Sequence, residues 1–426
     1  MNLTMIELRR IFRSRMVLAA VVFLLVMDVF VYGNTGNSYY TVFGKDSKAH
    51  IAEAQEDGAY FKGEVTDQWI AWVTGEADAI RNNPANQLQG DEREAMKQKL
   101  ADQGFDYATV EEKYPGAFIK EEVLNSRSYT RYEPAEVAAN FSENARKVMD
   151  LHVSAIREGG SGHKAKELER AAKEACQTLA ENYTPIYDYN LGYGWMNNIM
   201  LCQHFILGIL LAVGLSGIIS DEYLKKMDAM IQVTTYGRRK TALAKLKAGL
   251  LFSILVWVLF MGLNLLLTTV IYGWEGWESY WQDGIFITAP FPWGQGKAML
   301  VGMGTSLLGA LYFASFVMMV SSLCKTPAAS MLLSFGFLMI PAVCEQYGYM
   351  KGTAYFPASL MRGEYIWQSY RPVYMAGVVL NEQILILMMG LVVSAVCMLF
   401  TVRNFERHQV SNSYCEILHV IDVIKW

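Results

Sequence analysis

Cysteine and histidine are scarce, with six of each in 426 residues. Between residues 33 and 194 the only thiol is Cys176. One thiol closes no internal disulfide, so an apolar core must hold that stretch. Neither C-x-x-C nor H-E-x-x-H occurs, which removes the common spacings for a zinc site. His152 and His163 stand alone on helical faces, where a histidine without a second ligand is ordinarily structural. A G-x-x-x-x-G-K-[ST] phosphate loop is missing as well. The only Gly-Lys pairs, Gly44-Lys45 and Gly296-Lys297, lack both the upstream Gly and the following Ser or Thr. The chain is therefore expected to bind no cofactor or metal of its own and to carry no ATPase motif. No G-x-S-x-G elbow is present either, which argues against a hydrolase of that kind.

Charge is also sparse and unevenly spread: 18% of residues are charged and 53% hydrophobic. Apolar runs long enough to cross a bilayer, about 20 residues each, fall near 16–32, 195–220, 248–272, 298–323, 328–346 and 378–402. Residues 33–194 hold 18 Lys and Arg against 27 Asp and Glu, net −9. The rest of the chain holds 19 against 14, net +5. An acidic polar segment repels phosphates, so nucleic acid is excluded as a partner.

The chain opens MNLTMIELRRIFRSR. Leu3, Ile6, Leu8, Ile11 and Phe12 form an apolar stripe, and Arg9, Arg10, Arg13 and Arg15 gather before the first run. No small-residue cleavage site follows, so that run is expected to remain as a span with its N-terminus inside. Asp28, near the far end, is expected to be capped or to snorkel to the interface. Within the polar segment the pattern is helical, with helices expected over 67–81, 91–102, 134–157 and 161–182. Val137, Phe141, Ala145, Val148, His152 and Ile156 trace one face of the third. Ala165, Leu168, Ala172, Cys176 and Leu179 answer from the fourth, across a Gly159-Gly160-Ser161-Gly162 turn.

The second run contains Asn197, Asn198, Gln203 and His204, and the third contains Asn264. Polar side chains inside an apolar run face protein or water. Any one of them joins helices; as a group they are candidates for lining a substrate path. Trp274, Trp277 and Trp281, followed by Phe291 and Trp293, are expected as an aromatic belt at the outer interface. A short interfacial or re-entrant helix is expected over 348–377, near Leu360, Arg362, Glu364, Ile366 and Trp367.

Residues 220–247 read SDEYLKKMDAMIQVTTYGRRKTALAKLK. Lys225, Lys226, Arg238, Arg239, Lys240, Lys245 and Lys247 mark a cytoplasmic loop, because positive charge is retained on that side during insertion. Tyr223, Leu224, Met227, Met230 and Ile231 recur at helical spacing and give a short helix an apolar face. Asp221 and Glu222 sit at its positive N-terminal end. Charge pattern alone leaves an interfacial helix and a partner-docking helix equally open.

The acidic residue after a span, the Thr234-Thr235-Tyr236-Gly237-Arg238 turn and Lys245 seven residues on resemble the cytoplasmic loop of ABC exporter permeases of the type-2 class. The E-L-R-R-I-F-R-S-R start is similar to the elbow helix that opens many of them, and the span order also fits. The resemblance implies an all-α integral membrane protein of six transmembrane helices. Its parts would be an amphipathic elbow helix (1–15), a first transmembrane helix (16–32), a large helical extracytoplasmic domain (33–194), a second transmembrane helix (195–220), a cytoplasmic coupling loop (221–247), transmembrane helices three to six (248–402) and a cytoplasmic tail (403–426). It implies the permease subunit of an ATP-driven exporter in a bacterial plasma membrane, with both termini cytoplasmic. The partners implied are a separate ABC ATPase subunit carrying ATP and Mg, a second permease chain as homodimer or heterodimer, and membrane lipid. Docking on that ATPase would fall to Glu222, Tyr223, Leu224, Met227, Met230, Ile231 and Arg238. Cargo of such proteins includes lipids, peptides, antibiotics and ions, and no residue here chooses among them. Two other classes stay open: an ion-coupled carrier, for which repeated halves would be expected, and a membrane-anchored sensor or scaffold whose polar domain binds a ligand.

Overall fold

The structure is a computed structural model and describes residues 3–34, 44, 46–104, 115–158, 162–227, 237–283, 286–348, 352–375 and 377–407. It is mostly helical, at 77%, and six helices are long and apolar enough to cross a bilayer, as in a multi-pass membrane protein. Span one is Arg15–Asn34, span two Leu191–Leu215 and span three Gly237–Ile271. Span four is Gln295–Leu323, span five Pro327–Gln346 and span six Glu382–Arg407. Spans two and four form the centre: 67% of each apolar window is buried, against 33% or less for the other four. Leu207, Leu211 and Phe313 are accordingly fully enclosed, while Val22, Phe23 and Leu399 face outward.

Small residues set how closely these helices approach, as expected where lipid gives no hydrophobic drive. A Cβ at Gly309 of span four would come within 2.5 Å of the Met361 backbone nitrogen. That close approach seats the short helix Pro357–Met361 and the 3-10 turn Gly363–Trp367 against span four. The expected re-entrant element over 348–377 is thus packed into the bundle. Span six begins at Glu382 and not at Val378. Val378–Asn381 instead pair antiparallel with Pro372–Met375, so their backbone groups are satisfied by a strand partner.

The fold is therefore not purely helical. A second two-stranded ribbon pairs Gly63–Glu64 with Ile186–Tyr187 and closes the base of the domain between spans one and two. In that domain the helix Asp67–Arg81 begins at Thr66, whose hydroxyl accepts from Trp69 N at 3.3 Å. Its buried face, Trp69, Val73 and Ala77, joins Phe61, Tyr132, Phe141 and Leu179 in one core. The helix expected over 134–157 is broken into Glu133–Ala139 and Phe141–Glu158. Asn140 sits between them and its side chain donates to Glu136 O at 3.0 Å, a local bond that competes with helix continuation. The break turns Val137 outward, 44% exposed, while Phe141, Ala145 and Val148 stay buried. The partner helix, His163–Glu181, buries Ala172, Cys176 and Leu179 as expected. A helix over Ser47–Phe61 has no counterpart in the sequence reading.

The bundle has two distinct ends. At one, span two ends, span three begins and span four ends close together. There Ser321 Oγ donates to Ser216 O at 2.7 Å and accepts from Ile219 N and Ser220 N. Asn404 Nδ2 of span six reaches Ser322 O at this same end. At the other end, Tyr189 OH donates to Tyr272 O and Tyr280 N donates to Ile186 O, tying the domain to the connection after span three. Trp281 does not join an exposed aromatic belt. It is fully buried, stacks on Phe286 and Trp293, and donates through Nε1 to Glu364 Oε2 at 3.0 Å. An indole N–H needs such a partner once enclosed. Trp277, 44% exposed, does remain at the surface.

Candidate functional site

The N-terminal helix Leu3–Arg13 carries the first component of the site. Its buried residues are Thr4, Glu7, Leu8 and Ile11: of the expected stripe Leu8 and Ile11 are buried, while Ile6 and Phe12 are exposed and Thr4 and Glu7 turn inward instead. The reason is Glu7. It points inward with Leu8 and Ile11 because a lysine of span three waits opposite.

That lysine, Lys245, has 1% of its side chain exposed and sits between two acids. Its Nζ lies 3.1 Å from Glu7 Oε2, 2.6 Å from Glu222 Oε1 and 3.2 Å from Ile218 O. Arg10 Nη1 completes the group at 2.8 Å from Glu222 Oε1 and 3.7 Å from Glu7. Two acids and two bases make the cluster neutral, which is what allows Glu222 and Lys245 to be fully enclosed. Burial works against the Arg10 charge, but the Glu222 bond and neighbouring carboxylates outweigh it, so the guanidinium is held above its ordinary range. The cluster joins three segments: the N-terminal helix, the short helix Ser220–Leu224 and the start of span three.

This revises the residues expected to dock a partner. Glu222 is an internal anchor, not a surface contact. Tyr223 packs partly into the bundle core. Leu224 and Met227 are the exposed apolar pair, at 54% and 40%. Met230 and Ile231 lie outside the described residues, as does the side chain of Arg238. The short helix itself is a single turn, and Met227 N closes it by donating to Glu222 O at 2.9 Å. Lys245, expected among the loop's surface charges, belongs to the interior.

The five polar residues of spans two and three divide into two sets. Gln203 and Asn264 converge on Asp28 of span one, which has no exposed surface. Asn264 Nδ2 donates to Asp28 Oδ2 at 3.0 Å. Gln203, with its amide nitrogen toward the acid, donates to Asp28 Oδ1, and its oxygen accepts from Tyr32 N at 3.1 Å. Tyr32 OH and Thr268 Oγ1 add a bond of 2.9 Å between spans one and three. Asp28 therefore neither snorkels nor caps a helix at the surface; interhelical amides enclose it. Asn197, Asn198 and His204 stand apart. Asn198 Oδ1 accepts from Cys202 Sγ, and His204 Nδ1 donates to Leu201 O at 2.7 Å. Buried atoms without a bond among the described residues include Asn197 Oδ1 and His204 Nε2. Of the five, Gln203 and Asn264 join helices through Asp28, while the bonds of Asn198 and His204 stay within span two.

A cavity of about 1020 Å³ opens between the inter-span domain and the beginning of span two. Its walls set Glu53, Asp57, Glu133, Asp188 and Asp283 against Arg127 and Arg131. Lys62 lies 2.7 Å from Asp188, and Arg127 reaches Glu56 at 2.7 Å and Asp57 at 3.3 Å, so much of its charge is internally balanced. On another face of the domain, His152 Nε2 meets Thr288 O at 3.3 Å. Burial lowers the imidazole below its ordinary value, and that contact only partly offsets it. Among the described residues no group of three His, Cys, Asp or Glu is placed to hold a metal ion.

The sequence reading missed Glu7, Arg10 and Lys245 as a unit. The available signal was Glu7 itself, an acid in phase with Thr4, Leu8 and Ile11. No family model, curated protein or solved structure matches this chain.

Proposed function

We propose that the chain is the membrane-spanning permease subunit of an ATP-driven exporter of the type-2 ABC class, powered by a separate ATPase chain. The observation that carries this reading is the buried Glu7–Arg10–Glu222–Lys245 cluster. A helix that receives a push at a membrane surface transmits it only if it is fixed to the spans, and this cluster fixes the Ser220–Leu224 turn to the start of span three. Leu224 and Met227 then stand exposed on that turn as the contact for the ATPase.

In this reading the end carrying Arg9, Arg13, Lys225, Lys226, Arg239, Lys325 and Arg403 is cytoplasmic, following the retention of positive charge. The inter-span domain is then outside the cell. Two such six-span bundles, identical or homologous, enclose the path. An ion-coupled carrier would need an acid open to a path, whereas amides from two other spans enclose Asp28. Purified alone in lipid nanodiscs, the chain is expected to hydrolyse no ATP, with Mg-dependent hydrolysis appearing only when a P-loop ATPase chain co-purifies. Substantial hydrolysis by the isolated chain, free of contaminants, would sink the reading.

A further inference from the structure

The basic end of the bundle holds two adjoining cavities beside the ion cluster, with Arg10 in the wall of both. One, of about 460 Å³, is lined by Arg9, Arg10, Arg13, Ser14 and Lys225, with Asp221 its single acid. Arg9 and Arg13 are four residues apart on one helix and so project from the same face. Arg10 is engaged by Glu222, and Lys225 lies 2.9 Å from Asp221. The wall still carries four bases to one acid. The second cavity, of about 130 Å³, shares Arg10, Ser14 and Asp221 with the first, is also lined by Glu7, and continues between spans one and two, past Met16, Val17 and Val213. A positively charged bowl therefore opens into a narrow, mostly apolar slot at the point where a span meets the membrane surface.

We propose that these joined cavities bind one anionic phospholipid, with Arg9, Arg13 and Lys225 around the phosphate ester and an acyl chain in the slot. The bowl alone would suit any phosphate ester, because guanidinium groups match phosphate oxygens in charge and shape. The slot selects the lipid: a soluble phosphate has no use for Met16, Val17 and Val213. Gly217 lies on the slot wall, and a Cβ there would meet its nearest neighbour, Asp221 Cγ, only at 3.7 Å. A Cβ at Gly217 therefore meets only ordinary contact, and a longer side chain built on it would take up space offered to the acyl chain. The site needs only that this end lies at a membrane surface, so it stands or falls separately from the exporter reading.

The test is native mass spectrometry of the full chain released from nanodiscs containing equal phosphatidylglycerol and phosphatidylcholine. One retained phosphatidylglycerol, at least tenfold over phosphatidylcholine, is expected. Each basic residue near an anionic lipid surface is worth about fivefold in binding, so the exposed pair Arg9→Gln/Arg13→Gln is expected to lower retention by about 25-fold. Gly217→Leu is expected to lose the lipid with no change in charge, while Arg403→Gln, a basic residue outside both cavities, keeps it. Equal retention of the two lipids overturns the proposal, as does wild-type retention by either the arginine pair or Gly217→Leu. Displacement of the lipid by millimolar inorganic phosphate or glycerol phosphate would assign the bowl to a soluble phosphate ester and overturn it too.

Discussion

Glu222 and Asp28 are both acids with no more than 1% of their surface exposed, and both join three segments of the chain. Their surroundings differ in kind. Glu222 is met by two cations, Lys245 at 2.6 Å and Arg10 at 2.8 Å, within a neutral group of four charges. Asp28 is met by neutral donors from Gln203 and Asn264 and has no cation in its bonds. A buried acid that loses an enclosed counter-charge is left with much of its desolvation cost, whereas an amide that loses one acceptor inside a membrane bundle often finds another. The lesson is that the two ends of the first three spans are held by different kinds of bond, ion pairs at one and amide and hydroxyl bonds toward the other. Removing a partner is therefore expected to cost more at the basic end than toward the other.

The sharpest way to break that contrast is Lys245→Ala, which leaves the part-exposed Arg10 alone to balance both Glu7 and Glu222. A loss of about 3–5 kcal/mol is expected from reversible unfolding in mixed micelles. A change below about 1 kcal/mol would show that water reaches the cluster. The middle-sized effect belongs to Asp28. Asn264→Leu removes a donor and is expected to cost about 1–2 kcal/mol in the same assay. Asp28→Asn, which keeps an acceptor, should stay within about 1 kcal/mol of wild type. If Asp28→Asn proved as damaging as Lys245→Ala, the two acids would not be held differently after all.

How much of this was legible beforehand follows from what periodicity can carry. The helix Asp67–Arg81 and the buried stripe Ala172, Cys176 and Leu179 were readable, because the core face repeats along a single helix. The ion cluster was not. Lys245 and Glu7 are separated by 238 positions, and a lysine after a basic loop reads as one more surface charge until span three is placed beside the N-terminal helix. The break at Asn140 was lost for a related reason, since apolar spacing continues across it while the local side-chain bond decides the backbone. Trp281 was read as an interface residue from spacing alone, and its carboxylate partner, Glu364, lies 83 positions away.

The smallest effect sharpens the comparison at the domain. His152 is half-buried and its imidazole is held below the ordinary value of 6.5. Such a group stabilises the fold above the unfolded value, and that contribution fades as pH falls through the lowered folded value. Between about pH 7 and pH 5, then, wild type should lose stability that His152→Gln does not lose, by about 1 kcal/mol or less. Parallel curves for the two proteins would remove His152 from any account of domain docking.

The exporter reading places the ATPase contact on the exposed pair Leu224 and Met227, mounted on the turn that Glu222 anchors. Replacing both with Glu puts carboxylates into an apolar contact, at a cost of several kcal/mol unless each finds a partner. About 1.4 kcal/mol is tenfold in affinity, so ATPase recovered with the double variant should fall by at least two orders of magnitude. Both positions are exposed, so unfolding in micelles should match wild type. Co-purification of the ATPase with Leu224→Glu/Met227→Glu, scored beside its stimulated hydrolysis, is the most direct measurement. The account predicts a folded, inserted chain that no longer recovers the ATPase; undiminished recovery with normal stimulated hydrolysis would contradict it.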